Sequence, residues 1–441
     1  MDWKVSQKNI AAFFLWLLIL STVFLVVSLL SPDPFSLITP QNNKKSESSP
    51  PQLSAQDELP PLQSPPLIPL SPMATVAPPI LAPDQPPSPP LRPPLPLAIE
   101  EECDVHLGRW VKEPREPSYT NESCRTLPEL KNCGKYGKEQ EYLHWRWKPD
   151  GCDLPRFDPR LFLAIVRGKK LAFVGDSLAR NHMESLLCLL SQAETPRNVY
   201  KDAGDQFRTW HFPHHNFTLM VMWTEFLVIG TEKTINGKGT SAFDVHLDRV
   251  NRAWADKIPF LDYIIVSIGN WFFRKNYMYE KGELIGCVNC NEGNLTDLGI
   301  GFAVRRVFRT ALRFINGCQE CGEGPITLVR TYSPAHFEHG HWFTGGYCNR
   351  TRPLDEKEVN LFAGTAWELR KIQLEEVVIA REEGKKRFGV LDVTKAMMLR
   401  VDGHPGSHWP AKKNVNDCLH WCLPGPIDMW SDLLLMTLRQ D

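Results

Sequence analysis

The sequence contains 441 residues, with 50 Lys and Arg against 51 Asp and Glu, so its formal net charge is only -1. This balance excludes a strong overall attraction to nucleic acid or to an anionic membrane surface, and we expect a partner that is neutral or recognised locally. The length allows one large α/β domain or two to three average domains, and the 14 Trp residues can fill a core or stack on the apolar faces of sugar rings.

The N-terminal part of the chain predicts a membrane anchor followed by a spacer. Residues 10–30 are apolar apart from two Ser and one Thr, which is long enough for one membrane-spanning helix, and no small-residue cleavage site is evident after them. Two lysines precede this span, so the positive-inside rule places residues 1–9 in the cytosol and the remainder of the chain in a lumen. Residues 31–100 are dominated by Pro and Ser, which is more typical of a semi-extended stalk than of a protein-binding proline motif.

The cysteines indicate an oxidising compartment. All 12 lie between Cys103 and Cys422, a distribution that predicts a compact region held by disulfide bonds. Cys418 and Cys422 would fasten the C-terminal loop if each is disulfide-bonded, whereas Cys188 lies in an apolar run and is the candidate for a buried free thiol. Four N-glycosylation sequons fall in the same lumenal region, at Asn121, Asn216, Asn294 and Asn349.

Metal binding is the alternative to disulfide formation. Two Cys-x-x-Cys pairs have the spacing of zinc ligands, but the predicted secretory route favours disulfides for them. Two histidine clusters lack acidic or Cys ligands at a specific interval, so we expect surface or cleft roles for them and no bound metal. The residues concerned are Cys287, Cys290, Cys318, Cys321, His211, His214, His215, His336, His339 and His341.

Residues 101–160 and 161–441 differ in composition and predict two lobes. The first range is rich in Cys, Trp and charged residues and predicts a small, loop-rich lobe. In the second range, short apolar runs alternate with helical spacing, which predicts an α/β domain whose parallel sheet has helices on both faces. The predicted strands are 170–174, 261–267 and 326–330, and the predicted helices are 178–190, 304–315 and 361–381.

The tripeptide Gly175-Asp176-Ser177 joins the first of these strands to the helix that follows it. A serine in this position lies where open α/β sheets bind ligands, and the amides of a helix N-terminus stabilise negative charge there. Gly175 allows a tight turn, and the backbone amide of Ser177 can contribute to an oxyanion hole. The alternative is that Asp176 and Ser177 only cap the helix. The position of a base decides between these interpretations.

A base for this serine is predicted near the C-terminus. Asp417 and His420 are three residues apart, a spacing that brings both side chains to one side of a turn. A serine needs an imidazole as base, and the imidazole needs an acceptor on its other nitrogen, so this pair completes a Ser-His-Asp triad with Ser177. The alternatives are a structural hydrogen bond or a metal pair for Asp417 and His420, and a different base at His404 or His408.

Together the two motifs resemble those of the plant trichome birefringence-like family, whose members carry a GDS motif and a C-terminal DxxH motif. The resemblance extends from Cys103 to near the C-terminus. The matching segments are Cys103-Asp104 with Gly108-x-Trp110-Val111, Trp145-Arg146-Trp147-x-Pro149, Cys152-x-Leu154-Pro155-Arg156-Phe157, Gly175-Asp176-Ser177-Leu178-x-Arg180-Asn181 and 417–425. The resemblance implies a Golgi-resident, single-pass type II membrane protein with a lumenal GDSL/SGNH-hydrolase-like three-layer domain and a small disulfide-rich N-terminal lobe beside the substrate cleft.

The resemblance also implies a chemistry, the O-acetylation of cell-wall polysaccharide. Ser177 would take the acetyl group, His420 would act as general base and acid, and Asp417 would orient His420. Acetyl-CoA or another acetyl donor would be a substrate, and no cofactor would be bound. Among hemicellulose acceptors, xyloglucan is the first choice from this resemblance, followed by glucomannan and xylan.

Gly269 and Asn270 are the candidates for completing an oxyanion hole with the Ser177 amide. They follow an apolar strand and resemble the third conserved block of the hydrolase superfamily. Many members of the plant family have Gly-His-Trp-Trp here, and Asn270 and Phe272 replace the His and the second Trp, so Asn270 is alternatively a turn residue. Two further departures from the family's pattern are His182, to which no role is assigned, and the segment 134–138.

Two other functions stay open from sequence alone. A carbohydrate acetylesterase with the same triad would transfer the acetyl group to water, and the motifs do not separate the two outcomes because water exclusion and acceptor binding decide the partition. A non-catalytic glycan-binding protein of the cell wall would use its aromatic residues for recognition. Replacement of Ser177 by Ala distinguishes binding from catalysis, because only the catalysis needs the hydroxyl.

Overall fold

The computed structural model describes residues 104–410 and 415–440 of the chain. The predicted membrane span at 10–30 and the predicted stalk at 31–100 lie outside these residues. No helix within the described ranges is both long and apolar enough to cross a membrane.

The described residues form thirteen strands and seven α-helices. The strands are β1 (Gly108–Lys112), β2 (Trp145–Pro149), β3 (Lys170–Gly175), β4 (Arg197–Lys201), β5 (Phe207–Phe212), β6 (Phe217–Trp223), β7 (Val228–Ile235), β8 (Lys238–Val250), β9 (Tyr263–Ser267), β10 (Asn276–Glu280), β11 (Glu283–Val288), β12 (Ile326–Arg330) and β13 (Phe388–Leu391). The helices are α1 (Pro159–Ile165), α2 (Ser177–Ser191), α3 (Arg252–Ala255), α4 (Gly299–Asn316), α5 (Thr365–Glu383), α6 (Thr394–Met398) and α7 (Asp428–Gln440). Every strand and helix predicted from the sequence is present, with ends moved by at most five residues.

A seven-stranded mixed sheet forms the centre of the domain, in the order β13-β12-β9-β3-β6-β5-β4. The first five strands run parallel, whereas β5 and β4 are antiparallel to their neighbours at one edge. The predicted α/β class is confirmed, but the prediction of a wholly parallel sheet is wrong at this edge. The reason is the length of the connections, because only a few residues join β4 to β5 and β5 to β6. A parallel connection needs a crossover of about a dozen residues or more.

Alternating side chains of β3 reach the two faces of this sheet. Leu171 and Phe173 belong to a buried apolar cluster that also contains residues of α2 and α7. Ala172 and Val174 belong to a second cluster, which contains residues of α4 and α5. Because side chains of a strand alternate between faces, a short apolar run such as β3 is buried on both sides and helices cover both.

A second, four-stranded sheet was not predicted from the sequence. Its order is β11-β10-β8-β7, and β7 and β8 form a hairpin around Asn236 and Gly237, both of which have positive φ. An Asn-Gly pair is a strong hairpin signal because both residues adopt such angles readily. Its strands β10 and β11 follow the short helix Asn270–Phe273, which comes directly after β9, and the sheet packs beside α4.

Disulfide bonds attach the N-terminal segment, whose only sheet in the described residues is the β1–β2 pair, to the main domain. Cys124 bonds to Cys188 of α2, and Cys133 bonds to Cys422. The prediction of a free thiol at Cys188 is therefore wrong, because a cysteine 64 residues earlier reaches its sulfur. Long-range pairs of this kind cannot be read from sequence spacing.

Candidate active site

The backbone around Gly175 fixes the position of Ser177. Gly175 pairs with Ser267 of the adjacent strand β9, and a Cβ atom on Gly175 would lie 1.8 Å from the Ser267 carbonyl oxygen, so only glycine fits there. Asp176 is the N-cap of α2, and its carboxylate accepts a hydrogen bond of 3.0 Å from the Leu178 amide. The capping interpretation is therefore correct for Asp176, and Ser177 is left as the partly exposed first residue of the helix.

Asp176 connects the parts of the site electrostatically. It is 1% exposed, and burial raises the pKa of its carboxyl. The charges of Arg330 and His420 and the backbone amide of Asn270 act in the opposite direction. His420 and Asn270, which are far from each other in the sequence, thus both lie near the residue that precedes Ser177.

Asp417 and His420 form a hydrogen-bonded pair. The distance from His420 Nδ1 to Asp417 Oδ2 is 2.8 Å, and the other carboxylate oxygen accepts hydrogen bonds from the backbone amides of Leu419 and His420. Burial alone would raise the pKa of Asp417, but the charge and hydrogen bonds of His420 and these amides hold it well below its ordinary value. An ionised Asp417 fixes a proton on His420 Nδ1, which leaves Nε2 as the basic nitrogen.

Asn181 attaches the loop of His420 to the helix of Ser177. Its side-chain oxygen accepts from the Trp421 amide at 2.8 Å, and its side-chain nitrogen donates to the Trp421 carbonyl at 3.3 Å. Asn181 follows Ser177 by four residues, so both lie on one face of α2. The residue after His420 is therefore tied to the face of the helix that carries the serine.

Two disulfides hold the same loop from other directions. Cys418 bonds to Cys348, and Cys422 bonds to Cys133. The prediction that cysteines on both sides of His420 fasten this loop is confirmed.

Ser177 Oγ and His420 Nε2 form no hydrogen bond with each other or with any other described residue. Both atoms are reachable, since Ser177 is partly exposed and the His420 side chain is 24% exposed. Catalytic hydrogen bonds are often long or poorly aligned without substrate and tighten when it binds. The structure thus brings Asp417 to His420, and their loop to the helix of Ser177.

Gly269 and Asn270 lie at the end of β9, beside the end of β3. The Tyr332 hydroxyl donates a hydrogen bond of 3.1 Å to the side-chain oxygen of Asn270. The side-chain nitrogen of Asn270 therefore remains available as a donor. A Cβ on Gly269 would lie 2.6 Å from a ring carbon of Tyr332, so the glycine allows this close approach. The arrangement suits donors for an oxyanion near Ser177, and this role for Gly269 and Asn270 stays a prediction.

The two alternative bases contact backbone carbonyls. His404 donates from Nδ1 to the carbonyl of His420 at 2.7 Å, and its Nε2 lies 2.7 Å from Nδ1 of the partly buried His336. Burial lowers the pKa of His404 well below its ordinary value and that of His336 to about 4. His408 Nδ1 lies 3.1 Å from the Tyr136 carbonyl. His404 therefore supports the backbone of His420 through a hydrogen bond to its carbonyl group.

The remaining candidates for metal binding have other partners. Both Cys-x-x-Cys pairs are disulfides, Cys287–Cys290 and Cys318–Cys321. His215 contacts Glu194 at 2.5 Å, and His211 contacts Thr218. Within the described ranges, no group of three His, Cys, Asp or Glu residues is arranged to hold a metal ion.

Two sets of residues without a catalytic assignment have clear surroundings. All four sequon asparagines are exposed, as a glycan requires, and their glycosylation stays a prediction.

His182 is fully buried between the rings of Phe173 and Trp430, and burial lowers its pKa far below the ordinary value.

Sequence reasoning missed the residues that support the triad. Asn181 was part of the recognised motif but was given no role, and its contact spans 240 residues. His404 was considered only as a rival base. The one available signal was their chemistry, because a buried amide or imidazole near a functional loop requires hydrogen-bond partners.

The fold and this site together define the class of protein. Residues 154–437 match the PC-esterase family, the GDSL/SGNH-like acyl-esterase family found in Pmr5 and Cas1p, and residues 101–153 match the PMR5 N-terminal domain. The chain belongs to this family. The resemblance that the sequence motifs indicated is confirmed.

Individual relatives narrow the class to an enzyme. The chain is 54% identical to xyloglucan O-acetyltransferase 3 of Populus trichocarpa over 346 residues, which cover 77% of this chain and 87% of that one. It is 48% identical to xyloglucan O-acetyltransferase 2 of Arabidopsis thaliana over 348 residues, which cover 78% of this chain and 84% of that one. It is 42% identical to trichome birefringence-like 20 of the same plant over 350 residues, which cover 77% of this chain and 72% of that one. The predicted enzyme class, an O-acetyltransferase, is confirmed.

Proposed function

We propose that this O-acetyltransferase acetylates hydroxyl groups of xyloglucan through a double displacement at Ser177, with His420 as base and acid and Asp417 orienting His420. The observation that carries the mechanism is the Asp417–His420 hydrogen bond on a loop that Asn181 ties to the helix of Ser177. The names of the most similar relatives support the acceptor.

In the first half-reaction the acetyl group moves from donor to enzyme. His420 Nε2 takes the proton from Ser177 as the serine oxygen attacks the acetyl carbonyl carbon, and the carbonyl oxygen becomes an oxyanion. The backbone amide of Ser177 and the side-chain nitrogen of Asn270 stabilise that charge. When the intermediate collapses, the bond to the leaving group breaks and His420 returns the proton to it.

In the second half-reaction a sugar hydroxyl attacks the acetylated serine. His420 takes the hydroxyl proton, a second oxyanion forms in the same place, and collapse releases Ser177, which regains the proton. Asp417 stays ionised throughout and stabilises the imidazolium form of His420. An acetylesterase differs only in this step, where water replaces the sugar.

The cellular setting of this reaction is also a proposal. We infer a Golgi membrane protein with its catalytic domain in the lumen, supported by the apolar segment at 10–30, the sequons and the disulfide bonds. Acetyl-CoA or another acetyl donor is the proposed second substrate.

The test uses the purified full-length protein with an isotopically labelled acetyl donor. We expect label on the peptide that contains Ser177 when no acceptor is present, and transfer of that label to unacetylated xyloglucan when it is added. Ser177→Ala should abolish both, whereas Ser191→Ala, at the other end of α2, should preserve them. Release of free acetate without any acetylated polysaccharide would instead establish the esterase.

A further inference from the structure

A line of arginine and aromatic side chains extends across the surface beside the proposed active site. We call it the aromatic strip, and its members are Arg180, Trp223, Trp271, Arg274, Trp342 and Phe343. None of them belongs to the triad or to the oxyanion candidates.

The strip begins at the elements that carry Ser177. Trp223 ends β6 and pairs with Gly175, and the guanidinium carbon of Arg180, in the first turn of α2, lies 5.6 Å from the centre of the Trp223 ring. The ring of Trp271 lies 6.3 Å from that of Trp223 in an edge-on arrangement. The first half of the strip therefore runs from the start of α2 to the residue after Asn270.

The second half is centred on an arginine between two indoles. The guanidinium carbon of Arg274 lies 4.3 Å from the ring centre of Trp271 and 5.1 Å from that of Trp342. Phe343 follows, with its ring 5.4 Å from Trp342. Arg274 is partly buried, and burial lowers its pKa while the more distant charge of Glu232 acts in the opposite direction. No carboxylate among the described residues is close enough to form an ion pair with it. Its N–H donors are thus free for a ligand.

The strip is attached to the proposed active site at two places. Trp271 directly follows Asn270, and the buried Asn276 amide donates to the carbonyls of Trp271 and Arg274 at 3.2 and 3.0 Å. On the other side, the loop 336–348 carries Trp342. Both ends of that loop are held at Cys418, beside Asp417.

The two fastenings of that loop are of different kinds. The amide of His336 donates to the Cys418 carbonyl at 2.9 Å, and Cys348 forms a disulfide with Cys418. Trp342 and Phe343 are nevertheless 54% and 67% exposed. The loop therefore presents two large aromatic faces to solvent from a rigidly attached base.

These features match the chemistry of a neutral sugar. The C–H face of a pyranose ring packs on an indole as other apolar groups do, and a guanidinium held between indoles supplies donors for the ring hydroxyls. Exposed aromatic side chains next to a reactive site otherwise carry a cost in solubility. We propose that the aromatic strip is the acceptor subsite, where pyranose rings of the polysaccharide stack so that one hydroxyl reaches the acetylated Ser177. This inference rests on the proposed function.

The strip is tested by binding, separately from catalysis. Isothermal titration calorimetry of the full-length protein with an unacetylated xyloglucan oligosaccharide, without any donor, measures acceptor affinity. Trp342→Ala should weaken binding about tenfold, and Arg274→Gln by a similar factor. Phe260→Ala is the matched control, since Phe260 is 65% exposed and lies just before β9, at the opposite end of that strand from Asn270. Thermal melting of each variant establishes that it is folded.

Each outcome decides one of the two proposals. Oligosaccharide affinity that is equal in Trp342→Ala and Phe260→Ala overturns the strip as acceptor subsite. A parallel titration uses a non-reactive acetyl-CoA analogue. If Trp342→Ala weakens binding of this analogue and not of the oligosaccharide, the strip binds the donor and the acceptor proposal is overturned. Labelling of Ser177 in the unsubstituted protein tests the proposed function alone. If Trp342→Ala weakens glycan binding but the unsubstituted protein shows no labelled serine, the proposed mechanism is wrong and the proposed subsite is still supported.

Discussion

The serine side and the base side of the proposed active site are built in different ways. Ser177 is positioned by its neighbours in the chain, which are strand β3, Gly175 and helix α2. The loop of His420 is positioned by distant residues, through a hydrogen-bonded amide 240 residues earlier and disulfides that span 70 and 289 residues. Activity should therefore depend on residues that support the loop without touching the substrate.

The largest effect is expected within the triad itself. Asp417→Asn removes the charge that fixes the tautomer of His420, so kcat should fall by about 10³ to 10⁴-fold while the fold persists. Asp256→Asn, at an exposed carboxylate in an ion pair with Arg252, is the control and should keep full activity. Steady-state acetyl transfer measures both. A loss of less than tenfold in Asp417→Asn would contradict the triad.

A smaller loss is expected when the loop loses its anchor on α2. Asn181→Leu deletes both hydrogen bonds to Trp421 and leaves a buried N–H and C=O without partners, which costs about 1–3 kcal/mol for each group. A displacement of His420 by even 1 Å should lower kcat about a hundredfold.

The control for Asn181 separates stability from positioning. Asn316→Leu removes a hydrogen bond to the Ala380 carbonyl, between α4 and α5. It should lower the melting temperature without lowering kcat of the folded enzyme. If both variants lose activity only in proportion to their unfolded fraction, Asn181 has no positioning role.

The same contrast explains how much the sequence predicted. β3 and α2 were found because an apolar run and helical spacing are local signals, and the Gly-Asp-Ser turn lies between them. Asp417 and His420 were found because they are only three positions apart in the sequence. The free thiol assigned to Cys188 was wrong and the anchor Asn181 was missed, because both depend on contacts made only when the chain folds. The antiparallel edge strands were missed because β4 is exposed along its whole length and lacks an apolar pattern.

His404 should have a smaller effect than Asn181, because it holds a single carbonyl of the loop. His404→Leu removes the donor to the His420 carbonyl, and we expect kcat to fall about tenfold with little change in KM. His404→Asn restores a donor near the position of Nδ1 and should recover part of kcat. Equal activity of the Leu and Asn variants would show that His404 acts only through packing.

The smallest effect on activity, and a clear one on stability, is expected at Asp432. This residue of α7 accepts a hydrogen bond of 2.8 Å from the Phe157 amide, and burial raises the pKa of its carboxyl to about 8. The folded protein keeps the proton at pH values where an unfolded chain, with a pKa near 3.9, has released it. Stability should therefore fall as pH rises from about 4 to about 8.

Asp432→Asn keeps the acceptor for Phe157 and removes the ionisation. We expect the variant to match the unsubstituted protein near pH 4 and to have the higher melting temperature near pH 8. Asp428, whose pKa burial raises to about 6, retains part of the pH dependence in the lower half of this range. Melting curves across the range measure the difference, with Asp256→Asn as the exposed control. Parallel curves for Asp432→Asn and the control would mean that Asp432 is ionised in the folded state.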